Sequence, residues 1–172
     1  ARQTILGTLG FASGAQYVIA VDPSGASGAD ATGAATIAGG TVRATFAGGV
    51  YAAGASNILT ASSVTGTFTG GLLVTDLPDG FFASLTYLPT EVDITLSTTA
   101  PTLTGLSKNA QNVVNAITNF SDNGGTVPGS IASLFGLAGD AANHAFGQAA
   151  GQPGPASAQS GINSTNTFIS KI

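Results

Sequence analysis

Between Gly33 and Leu96, four short runs decide the fold: GAATIAGGTVRATF (33–46), NILTASSVTGTF (57–68), FFASLTYL (81–88) and EVDITLS (91–97). Glycine, proline or asparagine lies at or within four residues of both ends of each run. In the last run Val92, Ile94 and Leu96 alternate with polar residues, which is the pattern of a half-buried β-strand. Strands this short, with a turn signal roughly every ten residues, predict a mainly β domain rather than βαβ units.

The residues before this stretch continue the strand pattern. Residues 2–11 predict one strand, or two strands broken at Gly7, and QYVIAV (16–21) predicts the next. The run DPSG (22–25) predicts a type I turn, because proline suits its second position and glycine its fourth. Residues 25–35 are rich in Gly, Ala and Ser and are interpreted as a loop that leads into a strand at Ala34–Ile37.

Two further features complete the predicted β part. Val50–Ala53 is interpreted as a short strand after the break at Gly48-Gly49. FFASLTYL and EVDITLS are separated only by Pro89-Thr90, so they are predicted to pair as a hairpin or as adjacent turns of the chain.

The pattern changes after a Thr/Pro linker at residues 98–105. Apolar residues at three- and four-residue spacing from Leu106 to Phe120 predict an amphipathic helix, with Ser107 as its N-cap and DNGG (122–125) at its end. Three more helical stretches are predicted: Ser130–Leu137, Ala141–Ala150 with Asp140 as its N-cap, and a weak one at Ala156–Ile172 after the break QPGP (152–155). These boundaries divide the chain into a β domain at 1–97, a linker at 98–105 and a helical segment at 106–172.

Composition excludes several classes of function. Only 7% of the 172 residues are charged, the net charge is −4, and the four basic residues are scattered. Nucleic-acid binding needs a clustered basic surface, so it is not expected. The chain has no cysteine, which excludes disulfides, thiolate metal sites and a thiol nucleophile. No run of 18 apolar residues predicts a transmembrane helix, and the first residues do not resemble a signal peptide.

Residues able to do chemistry are few, and the plainer interpretation is favoured for each. His144 is the only histidine, so it cannot form a two-histidine metal site; it could join Asp140 and a serine in a triad only on paper, because no Gly-x-Ser-x-Gly turn is present. Glu91 and Asp93 share one face of a strand, where paired carboxylates could serve glycoside hydrolysis but are ordinarily solvated. We therefore predict no catalytic, cofactor-binding or metal-binding residue, no enzyme activity and no small-molecule substrate.

The β part resembles the C-terminal end of an autotransporter passenger domain, the exported part of Gram-negative proteins of type V secretion. The resemblance covers about 80 residues and depends on the order of common strands rather than on one specific motif. The matching runs are YV (17–18), DPSG (22–25), GAATIAGGTV (33–42), Tyr51, ILTA (58–61), VTGTF (64–68), ASLTY (83–87) and VDITL (92–96).

The resemblance continues into the helical segment. GLSKNAQNVVNAITNF (105–120), GGTVPGSIASLFGLAGDAANHAFGQAAGQ (124–152) and Phe168-Ile169 are similar to the segment that joins a passenger to its outer-membrane β-barrel. This resemblance implies a short right-handed parallel β-helix, or solenoid, with a hairpin cap and a small helical region after it. It further implies a non-catalytic module at the cell surface of a Gram-negative bacterium, with the autochaperone role of supporting passenger folding and display. The implied partner is the outer-membrane β-barrel of a longer precursor.

A second interpretation is a self-assembling subunit of an extracellular filament. The first strand presents an open edge, and the low charge offers little repulsion against association. An open first strand that meets the capped end or the tail of another copy would form a head-to-tail contact, and head-to-tail contacts that do not close form filaments. In this interpretation the partner is the protein itself.

Overall fold

Twelve strands and four helical segments form the described part of the chain, residues 1–151, in a computed structural model. The predicted break at 152–155 and the predicted helix at Ala156–Ile172 lie outside the described residues. The strands are β1 Arg2–Ile5, β2 Leu9–Phe11, β3 Gln16–Asp22, β4 Gly25–Ala26, β5 Gly28–Ala31, β6 Ala35–Ile37, β7 Thr41–Phe46, β8 Gly54–Thr60, β9 Val64–Gly66, β10 Leu72–Thr75, β11 Phe82–Tyr87 and β12 Glu91–Ser97. The helices are α1 Lys108–Asp122, α2 Gly129–Ala132, a 3-10 helix at Ser133–Gly136, and α3 Gly139–Ala149.

The strands form three small sheets that the chain visits in a repeating order. Sheet I has the order β1-β5-β8-β12-β11, sheet II the order β2-β6-β9, and sheet III the order β10-β7-β3-β4. The chain thus passes through sheets I, II and III three times, giving layer one (β1, β2, β3), layer two (β5, β6, β7) and layer three (β8, β9, β10). Strands of successive layers pair in parallel in all three sheets. The prediction of a mainly β fold is therefore confirmed.

The core lies between the three sheets and is built by period-two alternation. Val92, Ile94 and Leu96 are buried, while the intervening residues of β12 are more exposed, as their alternation predicts. In β7, Val42, Ala44 and Phe46 are buried in the same way. Burying such apolar side chains stabilises a fold by about 25 cal/mol for each Å² removed from water.

Two assignments made from the sequence, one of a loop and one of a strand, were wrong. Residues 25–35, predicted as a loop, contain β4 and β5. A Cβ atom on Gly28 would overlap the carbonyl oxygen of Ile58, and the neighbouring Ala29 is buried, so small residues here allow close approach of two strands. Val50–Ala53, predicted as a strand, is irregular, and Val50 is 92% exposed. Residues 2–11 form two strands, separated by residues that include Gly7.

The second half of the chain follows its predicted order. β11 and β12 form an antiparallel hairpin, so the hairpin alternative is the one observed. The N-cap of α1 is Ser107, whose side chain accepts a hydrogen bond from the amide of Ala110. Asp140 is not an N-cap: it lies in the first turn of α3, which begins after Ala138 without a side-chain cap.

Aromatic side chains join the helices to the strands. The ring of Phe135 lies 5.0 Å from that of Phe82 in β11 and 5.2 Å from that of Phe146 in α3, in edge-to-face arrangements. All three side chains are buried and belong to one apolar core with the strand residues. The helices therefore pack on the strands of the same chain.

Candidate interaction surfaces

One end of the stack of layers presents unpaired strand edges. Within residues 1–151, β1 and β2 are edge strands with no partner on their outer side. β3 is covered only near its end by β4, and Ser27 bonds both the amide and the carbonyl of Ala20. Large apolar residues are exposed here, with Leu6 87% and Val18 68% exposed. We call this surface the open end; edges of this kind are templates for pairing with another strand.

A row of polar side chains crosses the outer face of sheet I from this end. The guanidinium of Arg2 in β1 donates to Asp30 in β5, with Nε 2.9 Å from Oδ2. It also donates to the carbonyl oxygen and the side-chain oxygen of Asn57 in β8, both at 2.7 Å. The Asn57 amide nitrogen in turn donates to Glu91 and Asp93 in β12, at 3.0 and 3.1 Å. We call this row the Arg2 ladder, and it links four neighbouring strands.

A β-bulge explains why the ladder forms at this position. Val92 is opposite Leu59 but Asp93 is opposite Asn57, so β8 has one extra residue, Ile58, relative to β12. β5 pairs with β8 over only two residues. Beyond that pairing, the carbonyl oxygen of Ile58 accepts from the Tyr17 hydroxyl at 2.5 Å, and that of Asn57 accepts from Arg2. Side chains thus supply donors to backbone carbonyls that β5 does not reach.

The electrostatics of the open end follow from these contacts. The Arg2 hydrogen bond holds the pKa of Asp30 below its usual value, since it favours the ionised carboxylate. Burial raises the pKa of the Tyr17 phenol to about 12. The guanidinium already has several partners within the protein, so the ladder stabilises the strands and leaves little capacity for an anionic ligand.

Acidification is expected to loosen β1. The pKa of Asp30 is lowered in the folded state. The ionised carboxylate therefore contributes to the stability of the folded state above its unfolded pKa of about 3.9, and this contribution is lost as the pH falls through the lower folded value. The two side chains are 32% and 42% exposed, so the effect should be a local opening of β1 rather than global unfolding. The opening of β1 is measured by hydrogen exchange of its amides at pH 6 and pH 2.5, corrected for the intrinsic exchange rates.

Two variants separate this effect from other carboxylates. In Asp30→Asn, the β1 amides should be weakly protected from hydrogen exchange at both pH values. Asp22→Asn should keep the pH dependence in β1, although the pKa of Asp22 is also lowered by hydrogen bonds from Ser24. Equal pH dependence in the wild type and Asp30→Asn would contradict the assignment.

The opposite end of the stack is closed by the hairpin and the helices. The carbonyl oxygens of Pro89 and Thr90, in the hairpin turn, accept from the amides of Val64 and Ala61 at 2.7 and 2.8 Å. The 3-10 helix packs on β10 and β11, and Leu137 after it bridges to Gly71. The two ends of the stack therefore differ, with free strand edges at one and a packed cover at the other.

A groove with a volume of about 420 Å³ remains within this cover. Its floor consists of the buried side chains of Phe68, Leu72 and Phe135, and its walls include Leu85 and Leu103, which are partly exposed. The rest of the lining includes exposed threonines at the rim, Ser84 and Tyr87, and none of the lining residues is charged. We call this the apolar groove.

The residues considered for chemistry lie in two elements, α3 and β12. His144 is exposed on α3, one turn after the exposed Asp140. Glu91 and Asp93 lie together as predicted, but both accept hydrogen bonds from the same Asn57 nitrogen, and neither is fully solvated. Across residues 1–151 no three side chains of His, Cys, Asp or Glu come together in a way that could hold a metal ion.

No protein-family model, curated protein or solved structure matches this chain. Among the helices of residues 1–151, none is both long and apolar enough to cross a membrane.

The Arg2 ladder was not found from the sequence. Its first three members are isolated polar residues: Asp30 follows Arg2 by 28 positions, and Asn57 follows Asp30 by 27. The available signal was the recurrence of strand positions from layer to layer: Tyr17, Val42 and Leu72 occupy matching positions in three successive strands of sheet III. The intervals between these positions are unequal, 25 residues and then 30, so the recurrence was not evident in the sequence alone.

Proposed function

We propose that this chain is a non-catalytic structural module, the C-terminal end of an autotransporter-like passenger that supports folding and display at the surface of a Gram-negative bacterium. The three layers are then the last turns of a short right-handed parallel β-helix, with the β11–β12 hairpin as its cap. One observation supports the proposal most: free strand edges occur at the open end, while the other end is covered by the hairpin and helices.

The two different ends suit a module that folds first and templates what precedes it. Each added layer of a stacked architecture pairs with the layer before it, and a folded layer lowers the cost of ordering the next. The closed end has its own aromatic packing, so it does not need a further layer. The Arg2 ladder connects β1 of the first layer to β5 and β8, while the outer edge of β1 stays unpaired in the described residues.

Surface display in a Gram-negative host tests this proposal. An epitope tag and a signal peptide would precede Ala1, and an outer-membrane barrel would follow Ile172, which supplies the partner that the resemblance implies. We expect surface labelling of the tag to be lower by about tenfold or more with Phe135→Ala, because truncating a buried aromatic costs about 3–5 kcal/mol. Phe120→Ala, at a 56% exposed site, is the matched control. Equal labelling with both variants, at equal outer-membrane levels, would refute the proposal.

A second candidate function is a subunit of an extracellular filament. The open end favours it, because unpaired β1 and β2 can pair with another copy. The hairpin and the helices cover the other end of the stack. In a head-to-tail joint, the open end of one copy would therefore meet either that covered surface or residues 152–172 of the next copy. Light scattering and negative-stain images of the purified protein at two concentrations distinguish the candidates: long uniform fibres support the filament, and a 16.6 kDa monomer excludes it.

A further inference from the structure

We propose that the apolar groove binds residues 162–172 of the same chain, with Phe168 and Ile169 placed against Leu85 and Leu103. This inference goes beyond the proposed function, since it concerns how the chain covers its own surface. It joins two observations: the lining of the groove, and the composition of the 21 residues that follow Gly151.

The groove has the character of a site for apolar side chains. Phe68, Leu72 and Phe135 form its floor but are at most 3% exposed, so the apolar surface open to a bound segment is that of Leu85 and Leu103, which are partly exposed. No charged residue lines it, so an apolar group that enters needs no ionic partner and displaces water from apolar surface.

The sequence after Gly151 divides into a linker and an apolar segment. Residues 152–161, QPGPASAQSG, contain no large apolar residue and are typical of a connecting segment. Residues 162–172, INSTNTFISKI, contain three isoleucines and Phe168, and their only charged side chain is that of Lys171. Phe168 and Ile169 can therefore enter an apolar site without the desolvation of a charged side chain.

The distances allow the segment to return to the groove. Ala138 lines the groove, and α3 starts at the next residue. Its 11 residues carry the chain roughly 16 Å away, at 1.5 Å per residue. Gly151 has a φ of +77°, which ends the helix in a left-handed turn. The ten residues that follow span up to roughly 33 Å when extended, so they exceed the return distance.

An engineered disulfide tests the proposal in the full chain, because the natural sequence has no cysteine that could interfere. Thr102 is exposed at the rim of the groove and Ser170 lies in the segment, so Thr102→Cys with Ser170→Cys forms the test pair. Thr8→Cys with Ser170→Cys is the matched control, since Thr8 is exposed between β1 and β2 and does not line the groove. We expect mild oxidation of dilute protein to close the test pair about tenfold faster, because binding raises the effective concentration of the segment at the groove.

A third variant connects the result to the apolar contact. Phe168→Ser added to the test pair should slow disulfide formation to the rate of the control pair, while circular dichroism of the strands stays unchanged. Equal rates for the test and control pairs would overturn the proposal. A bond that forms between chains, at a rate that rises with protein concentration, would also overturn it and would assign the segment to the groove of another copy.

Discussion

Phe135→Ala is expected to lower the free energy of unfolding by about 3–5 kcal/mol, since it removes a large buried side chain and leaves a cavity. Phe135 is 2% exposed and lies between Phe82 of β11 and Phe146 of α3. Its loss therefore affects strand and helix contacts together. Urea unfolding, followed by circular dichroism at a helix-sensitive and a strand-sensitive wavelength, measures both.

The two signals should move to lower urea together in one transition, because the buried residues form a single core. Phe120→Ala, at the exposed end of α1, should change the free energy by about 0.5 kcal/mol or less. A variant of Phe135 in which the helical signal is lost early while the strand signal is unchanged would show that residues 1–97 and the helices fold as independent domains.

Gly66→Ala is expected to destabilise the protein by about 2–5 kcal/mol, from a left-handed backbone conformation together with overpacking. Gly66 in β9 has a φ of +84° and pairs with Ile37 of β6. A Cβ atom on Gly66 would overlap the carbonyl oxygen of Ile37, so an alanine has to displace β9 from β6. The urea midpoint and thermal denaturation report the change.

Gly14→Ala is a close control because its φ of +81° is nearly the same, while no atom lies within 4 Å of the added Cβ. This control should lower the free energy of unfolding only by the conformational contribution, about 1–2 kcal/mol. The difference between the two variants then measures the close approach of β6 and β9. Equal destabilisation by both variants would mean that the backbone conformation alone accounts for the effect.

Local sequence patterns predicted the regular elements well. Alternation in β12 reports which residues are buried, because successive side chains of a strand point to opposite faces. The three- and four-residue spacing in α1 and the capping role of Ser107 depend on contacts within a few residues, so they too can be read from sequence. The hairpin of β11 and β12 is likewise local, since only a short turn separates its strands.

Elements without their own pattern were decided by the tertiary structure. GADA at β5 has low intrinsic strand preference, yet it forms a strand because β1 and β8 pair with it on either side. Asp140 has the residue type of an N-cap, but α3 begins before it, at Gly139, directly after Leu137 and Ala138, which are both extended. Leu137 is held in a bridge to Gly71. In each case the deciding partner lies elsewhere in the chain.

The sequence by itself determined a mainly β chain with few charges, no cysteine and helices after the strands. Only the tertiary structure decided that the Arg2 ladder links four strands, that one end of the stack has free edges, and that Phe135 joins the helices to the strands. The reason is physical: alternation and helical spacing specify which face of an element is buried, whereas the partner of that face is set by contacts between residues far apart in sequence.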